Sequence, residues 1–255
     1  MNVGLYYQFA EIEDNHWWFM ARRYLIRHVL IKSGIDKFGK ALDIGCGVGG
    51  NVNFLQNFCA EVTGIDYSET AINLAKKKWP MNSFVQGDAN NLTSLFNANS
   101  LDLVTILNVL YHQWIKSDEG LLTQVSTILK HKGYLVITEP AFGHLWRSHD
   151  VQDMGKKRYT LKEMKILLKQ SGFIVVSGSY FNSICYLPVL LSALLYKLLG
   201  KKNIPEEKNG VAEIRMPNNV LNRLMYFLLK METWLIKFAG KIPVGVSLIC
   251  IAKKA

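Results

Sequence analysis

The chain of 255 residues is 49% apolar and 20% charged, which excludes disordered, collagen-like and coiled-coil architectures and is ample for a core without a disulfide or metal staple. Thirty Lys+Arg against twenty Asp+Glu leave a net charge of +10, pointing to an anionic partner such as nucleic acid, a phosphorylated substrate or lipid headgroups. Cys46, Cys59, Cys185 and Cys250 form neither a C-x-x-C pair nor a zinc spacing, so no metal is expected and a reducing cytosol is the simplest setting.

Residues 1–10 lack the basic-then-apolar pattern of a secretion or import signal. Residues 1–39 read as an N-terminal helical segment containing the run His16-Trp17-Trp18-Phe19, with Arg22 and Arg23 close behind. From Lys40 onward short apolar runs alternate with helical patterns, the rhythm of βαβ units. Strands are predicted at 41–44, 61–65, 83–86, 101–107 and 134–138, with helices at 51–58, 69–78 and 119–129. Lys132-Gly133 reads as the C-cap of the third helix, because glycine enters the left-handed region without a Cβ clash. Thr160, with Glu163 three residues later, forms a capping box for a further helix that Gly172 ends. A sixth strand follows at 173–181 and a last one at 247–252. The expected fold is a Rossmann-like, seven-stranded, mostly parallel sheet with helices on both faces and an antiparallel last strand. Its core occupies 40–181 and 246–255, interrupted by a helical insertion at 182–245.

The run Asp43-Ile44-Gly45-Cys46-Gly47-Val48-Gly49-Gly50 carries a strand into a glycine-dense turn, where missing side chains let the backbone approach a nucleotide closely. Asp66 ends the second strand 21 residues after Gly45, positioned for the hydroxyls of a ribose. Gly87-Asp88-Ala89 brings a third acid to the carboxyl ends of the strands, where open α/β sheets bind their ligands. Asp43 would be an awkward neighbour for the two phosphates of a dinucleotide, whereas S-adenosylmethionine has no phosphate and carries a sulfonium and an ammonium. An acidic rim suits that ligand.

With this D-x-G-x-G loop, the acid after the second strand and the G-D pair after the third, the segment 40–139 resembles class I S-adenosylmethionine-dependent methyltransferases. The resemblance implies that Asp43, Gly45, Cys46 and Gly47 face the cofactor, that Asp66 holds the ribose with Tyr67 a further cofactor-binding position, and that Asp88 and Ala89 border the adenine. It also places Asn108 on the cleft and gives Arg22 the methionine carboxylate, which a guanidinium meets with two parallel bonds. The run His16 to Phe19, and the segment Leu145 to Asp150 with Gly155, Arg158, Tyr159 and Thr160, resemble a subgroup found in cell-envelope, lipid and saccharide biosynthesis. Trp146, Asp150, Arg158 and Tyr159 are then substrate-side candidates, while Lys156 departs from the histidine expected after Gly155. For a hydroxyl acceptor a base is needed, and His112, His144 and His149 are the candidates, each equally open to a surface or capping role. Lys156, Lys157 and Arg158 suit either an acceptor phosphate or a solvated turn.

Nine Lys+Arg and four Asp+Glu give 182–245 half of the net charge. In 221–238 the polar residues Asn222, Arg223, Tyr226, Lys230, Thr233 and Lys237 mark one narrow helical face opposite a broad apolar one, and 184–199 is a second greasy stretch, too short to span a bilayer. Two readings stand: peripheral attachment at the cytoplasmic face of an anionic membrane with Trp234 in the interface, or packing on the sheet or across a homo-oligomer. A small-molecule or lipid-linked acceptor is expected, and no DNA partner. Acting on RNA, serving as a non-catalytic scaffold, or working as a nicotinamide dehydrogenase are the competing functions.

Overall fold

The computed structural model describes residues 3–34, 37–199 and 215–255. Two helices, α1 (Val3–Ile12) and α2 (Trp17–Lys32), precede the sheet. His16 caps α2, its ring nitrogen accepting the Trp18 N–H at 3.2 Å. There follow β1 (Phe38–Ile44), α3 (Gly50–Leu55), β2 (Cys59–Asp66), α4 (Glu69–Lys78), β3 (Ser83–Gln86), β4 (Leu101–Leu107), α5 (Asp118–Ile128) and β5 (Leu129–Pro140). The chain ends with α6 (Ser148–Gln152), α7 (Leu161–Gln170), β6 (Phe173–Phe181), α8 (Tyr186–Leu199), α9 (Asn219–Ala239) and β7 (Ser247–Lys254).

The seven strands lie in the order β3-β2-β1-β4-β5-β7-β6, and β7 runs antiparallel to both neighbours, as expected. Strand order reverses between β1 and β4, which opens a crevice at their carboxyl ends. The central strands read as near-continuous apolar runs because helices cover both faces, and Leu42, Ile44, Val104, Ile106, Leu135 and Ile137 are fully buried. Thr160 and Glu163 make the predicted reciprocal cap of α7, and Gly172 follows it at φ +83°.

One boundary differs. The pair Lys132-Gly133 caps no helix: α5 ends at Ile128, and Leu129 pairs directly with Leu101. The next paired residues are Leu103 and Tyr134, so residues 130–133 form an excursion inside β5, with Lys132 at φ +65°.

The insertion holds α8 and α9. Helix α9 lies along α2, and part of the stripe read as its polar face turns inward, while Arg223 and Lys237 of that stripe stay exposed. Asn222 accepts the Trp17 N–H and donates to the Asn15 carbonyl, both at 2.8 Å, while Thr233 is buried and Lys230 lies over the rings of Tyr24 and Tyr226. The apolar side, including Leu224, Phe227, Met231, Trp234, Leu235 and Phe238, remains exposed, so it is not part of the core. In α8 only Val189 and Ala193 are buried.

Candidate active site

The carboxyl ends of β1, β2, β3 and β4, together with α1, α2 and the loop after β5, enclose a cleft of about 880 Å³. On one side lies the glycine turn. Gly45 N–H and Cys46 N–H donate to the Ile65 carbonyl at 2.8 and 3.0 Å, tying the turn to the end of β2. Gly45 sits at φ +69° against Val109, and Gly47 at φ +53° faces open space, positions that tolerate no side chain without strain. Cys46 is buried and lines the cleft.

Asp66 braces this turn from below. Its carboxylate accepts the Gly47 and Ser68 N–H groups, both at 2.9 Å, and a carboxylate has acceptor capacity beyond two such bonds. Burial pushes its pKa up, and the two N–H donors pull it back. Tyr67 follows at the exposed rim, its ring stacked on Trp114 with centroids 6.4 Å apart and planes at 16°. Asp88 lines the cleft with Ala89, but one of its oxygens already accepts the backbone and side-chain N–H of Asn90, at 2.8 and 2.7 Å. Asn108, at φ +62°, accepts from the Thr138 hydroxyl at 3.0 Å and from Arg22 Nη1 at 3.3 Å.

Arg22 is the most informative member. It is 5% exposed, its Nε has no partner, and among the described residues no carboxylate lies at ion-pair distance. Burial lowers its pKa to about 10, Glu13 being the strongest opposing influence. Glu13 is also buried on the cleft wall, accepts the Gly50 N–H at 3.2 Å, and has its pKa raised by burial against Arg23, Arg22 and Lys78. A guanidinium and a carboxylate, both buried on the wall and lacking a salt bridge to each other, suit a ligand bearing a carboxylate and an ammonium. The residues present therefore fit S-adenosylmethionine. Nothing in the sequence pattern singles out Glu13, because only the packing of α1 against α4 brings the residue just past α1 to the Gly50 N–H.

Asp43, in contrast, does not reach the cleft. It is 1% exposed beneath the turn, where Oδ1 accepts the Thr105 hydroxyl at 2.5 Å and Oδ2 is unpartnered. Burial raises its pKa to about 7, against the Thr105 bond and Arg22. Its alternation in β1 puts it on the sheet face it shares with its register partner Thr105, off the cleft wall.

On the far side stand the residues after β5. His149 Nδ1 faces Asp153 Oδ2 at 3.2 Å, and Tyr111 donates its hydroxyl to the same oxygen at 3.4 Å; all three line the cleft. His112 also lines it, with Nδ1 buried and unpartnered and a pKa lowered to about 4 by burial, so its ring is neutral. His144 is not on the wall: it stacks on Phe142 and bonds Tyr186 Oη at 2.9 Å, beside α8.

The substrate-side candidates separate. Asp150 and Arg158 line the cleft but satisfy each other through a buried pair at 2.7 and 3.1 Å, with Arg158 also donating to the Ala141 carbonyl. Tyr159 is buried away from the wall, its hydroxyl within hydrogen-bond distance of the Leu110 carbonyl (3.1 Å) and Asp118 Oδ2 (2.9 Å), and Trp146 is off the wall as well. Lys156 and Lys157 both pair with Asp118, at 2.6 and 2.8 Å, instead of forming a phosphate site with Arg158. Among the described residues no group of three or more His, Cys, Asp or Glu is arranged to hold a metal.

The family described as a methyltransferase domain matches residues 42–137. Among curated proteins, phosphoethanolamine N-methyltransferase of Plasmodium falciparum is 26% identical over 139 residues, 53% of this chain and 52% of that protein. A fatty-acid O-methyltransferase of Mycolicibacterium smegmatis is 32% identical over 104 residues, 39% of this chain and 36% of that protein. The chain thus spans about half or less of the length of these relatives. An S-adenosylmethionine-dependent methyltransferase structure from Archaeoglobus fulgidus shares the fold at 20% identity, with a TM-score of 0.57 over 91% of this chain and 94% of that one. The glycine turn, the acid ending β2 and the seven-stranded order with antiparallel β7 agree with the family match, and residues 42–137 carry the methyltransferase domain it describes.

Proposed function

We propose that this protein transfers a methyl group from S-adenosylmethionine to an oxygen of a hydrophobic or lipid-linked acceptor, a saccharide or polyprenyl derivative, at the cytoplasmic face of a membrane. The observation that carries the cofactor half is Arg22, buried on the cleft wall with an unpartnered Nε beside Asn108. In this reading Arg22 takes the methionine carboxylate, Glu13 the ammonium, Asp66 the ribose, and Tyr67 with Ala89 the adenine. Gly45 and Gly47 leave room for the chain between them.

When bound, the cofactor supplies a methyl group on a sulfonium, which passes to the acceptor oxygen while the carbon–sulfur electron pair stays on sulfur and one proton is released. The chain's tasks are alignment, exclusion of water and removal of that proton. His149 takes it, because Asp153 occupies Nδ1 and leaves Nε2 for the acceptor hydroxyl. His112, neutral and buried, lines the wall and is a secondary candidate. Trp17, Trp18 and Val246 supply apolar wall for the acceptor. The fatty-acid O-methyltransferase among the relatives supports an oxygen on a lipid.

Incubation with labelled cofactor and separated envelope and cytosol tests the reading. Label in an organic-extractable envelope product is the expected result. Label confined to RNA or to water-soluble metabolites overturns the acceptor, and cofactor binding with no transfer to any fraction indicates a scaffold.

A further inference from the structure

We propose that the outward faces of α8 and α9 seat this protein on an anionic lipid bilayer, lying on the surface without spanning it. This deepens the lipid-acceptor reading above and rests on it only for what the surface is for. In α8, Leu187, Leu191, Leu195 and Leu198 point to solvent, Leu198 being 81% exposed. In α9, Leu224, Phe227, Met231, Trp234 and Phe238 do the same, Phe238 being 70% exposed. Apolar faces of this extent mark an interaction surface, since hydrophobic side chains scattered singly over a surface would need no explanation.

Charge selects the occupant. The described residues of 182–245 carry exposed Lys197, Arg215, Arg223, Lys237 and Lys241. The single acid among them, Glu232, is buried and turned inward, where its carboxylate accepts the Asn182 and Ser183 N–H groups and the Ser183 hydroxyl. Apolar faces whose exposed charges among the described residues are all cations match anionic headgroups over an acyl boundary, with Trp234 an interfacial aromatic. A two-fold pairing of the same faces would bring those cations together, and a like-charged juxtaposition opposes it.

Length sets the mode. At 14 residues α8 is short of a bilayer core, α9 is interrupted by Lys230, Glu232 and Lys237, and no helix among the described residues is long and apolar enough to cross a membrane. The surface adjoins the cleft. Asn222 of α9 holds the Trp17 N–H, Glu232 holds the Asn182 N–H at the end of β6, four residues before α8, and both Trp17 and Asn182 line the cleft. A lipid acceptor would pass from the bilayer to the reaction site along this edge.

Vesicle sedimentation of the full chain tests the docking without any acceptor, so its failure and a failure of the acceptor reading are distinguishable. Vesicles of phosphatidylcholine with a quarter phosphatidylglycerol should pellet the protein, and vesicles of phosphatidylcholine alone should pellet it about tenfold less well, the difference shrinking in high salt. Leu191→Glu with Leu195→Glu, and separately Phe227→Glu with Trp234→Glu, should each weaken pelleting by about tenfold or more while S-adenosylhomocysteine binding is kept. Equal pelleting of the folded variants, no pelleting of the folded wild type, or vesicle-independent dimers that the same substitutions dissociate would each overturn the proposal. Envelope lipid labelled by a chain that fails to pellet would overturn the docking and leave the acceptor reading standing.

Discussion

His149 Nδ1 lies 3.2 Å from Asp153 Oδ2, one helical turn apart across α6, and both side chains face the cleft that holds the glycine turn on its other side. The carboxylate engages one ring nitrogen and so fixes which one meets the acceptor. Replacing His149 by Ala should lower methyl transfer by about a hundredfold or more, the usual share of a positioned base. Asp153→Asn should cost about tenfold, the usual scale for losing an orienting partner. Calorimetry with S-adenosylhomocysteine should show cofactor binding intact in both. Unchanged transfer by the Ala variant would remove His149 from the reaction.

Among the described residues Arg22 has no carboxylate at ion-pair distance, so its charge is available to a ligand. Arg22→Met should weaken S-adenosylhomocysteine binding by about 1.5–3 kcal/mol, the range for a hydrogen bond to a charged group. Binding of 5′-methylthioadenosine, which lacks the amino-acid portion, should change little. An equal loss for both ligands in titration calorimetry would show that Arg22 acts through the fold.

The Asp150–Arg158 pair is buried, with neither side chain more than 4% exposed. Arg158→Met alone leaves a buried carboxylate uncompensated and should cost about 3–5 kcal/mol of stability. Asp150→Leu added to it should recover much of that loss. Urea midpoints of the single and double variants check the order.

Asp43 stays protonated in the folded chain up to about pH 7, because burial opposes its charge, while in the unfolded chain it ionises near pH 4. The folded state thus binds the extra proton between these values, so the stability from this group is complete below pH 4 and is lost as pH rises through 7. Asp43→Asn should flatten that part of the curve. Denaturation of the cofactor-free protein at pH 5, 6, 7 and 8 would reveal a wild-type slope that the variant lacks, and parallel curves would refute it.

Much of this architecture is written in short stretches. The βαβ rhythm, the glycine turn, Asp66 and the Thr160–Glu163 cap each depend on a few neighbouring residues, because sterics and local hydrogen bonds act over one turn or one strand. Lys132-Gly133 misleads for the same reason: a local cap signal gives way where β4 pairs with Leu129 and draws the chain into β5 before the pair is reached.

What depends on distant partners was decided only in three dimensions. Asp43 looks like a cofactor ligand by spacing, but the alternation of β1 turns it toward Thr105. Glu13 and Asp153 carry no motif, yet α1 and α6 bring them to one cleft with Arg22 and His149. The polarity pattern of α9 shows that it has two faces but not which is inward. Asn15 and Trp17 offer backbone groups that Asn222 must satisfy, so Asn222 and Thr233 of that stripe are buried while Leu224, Phe227, Trp234 and Phe238 are left outside.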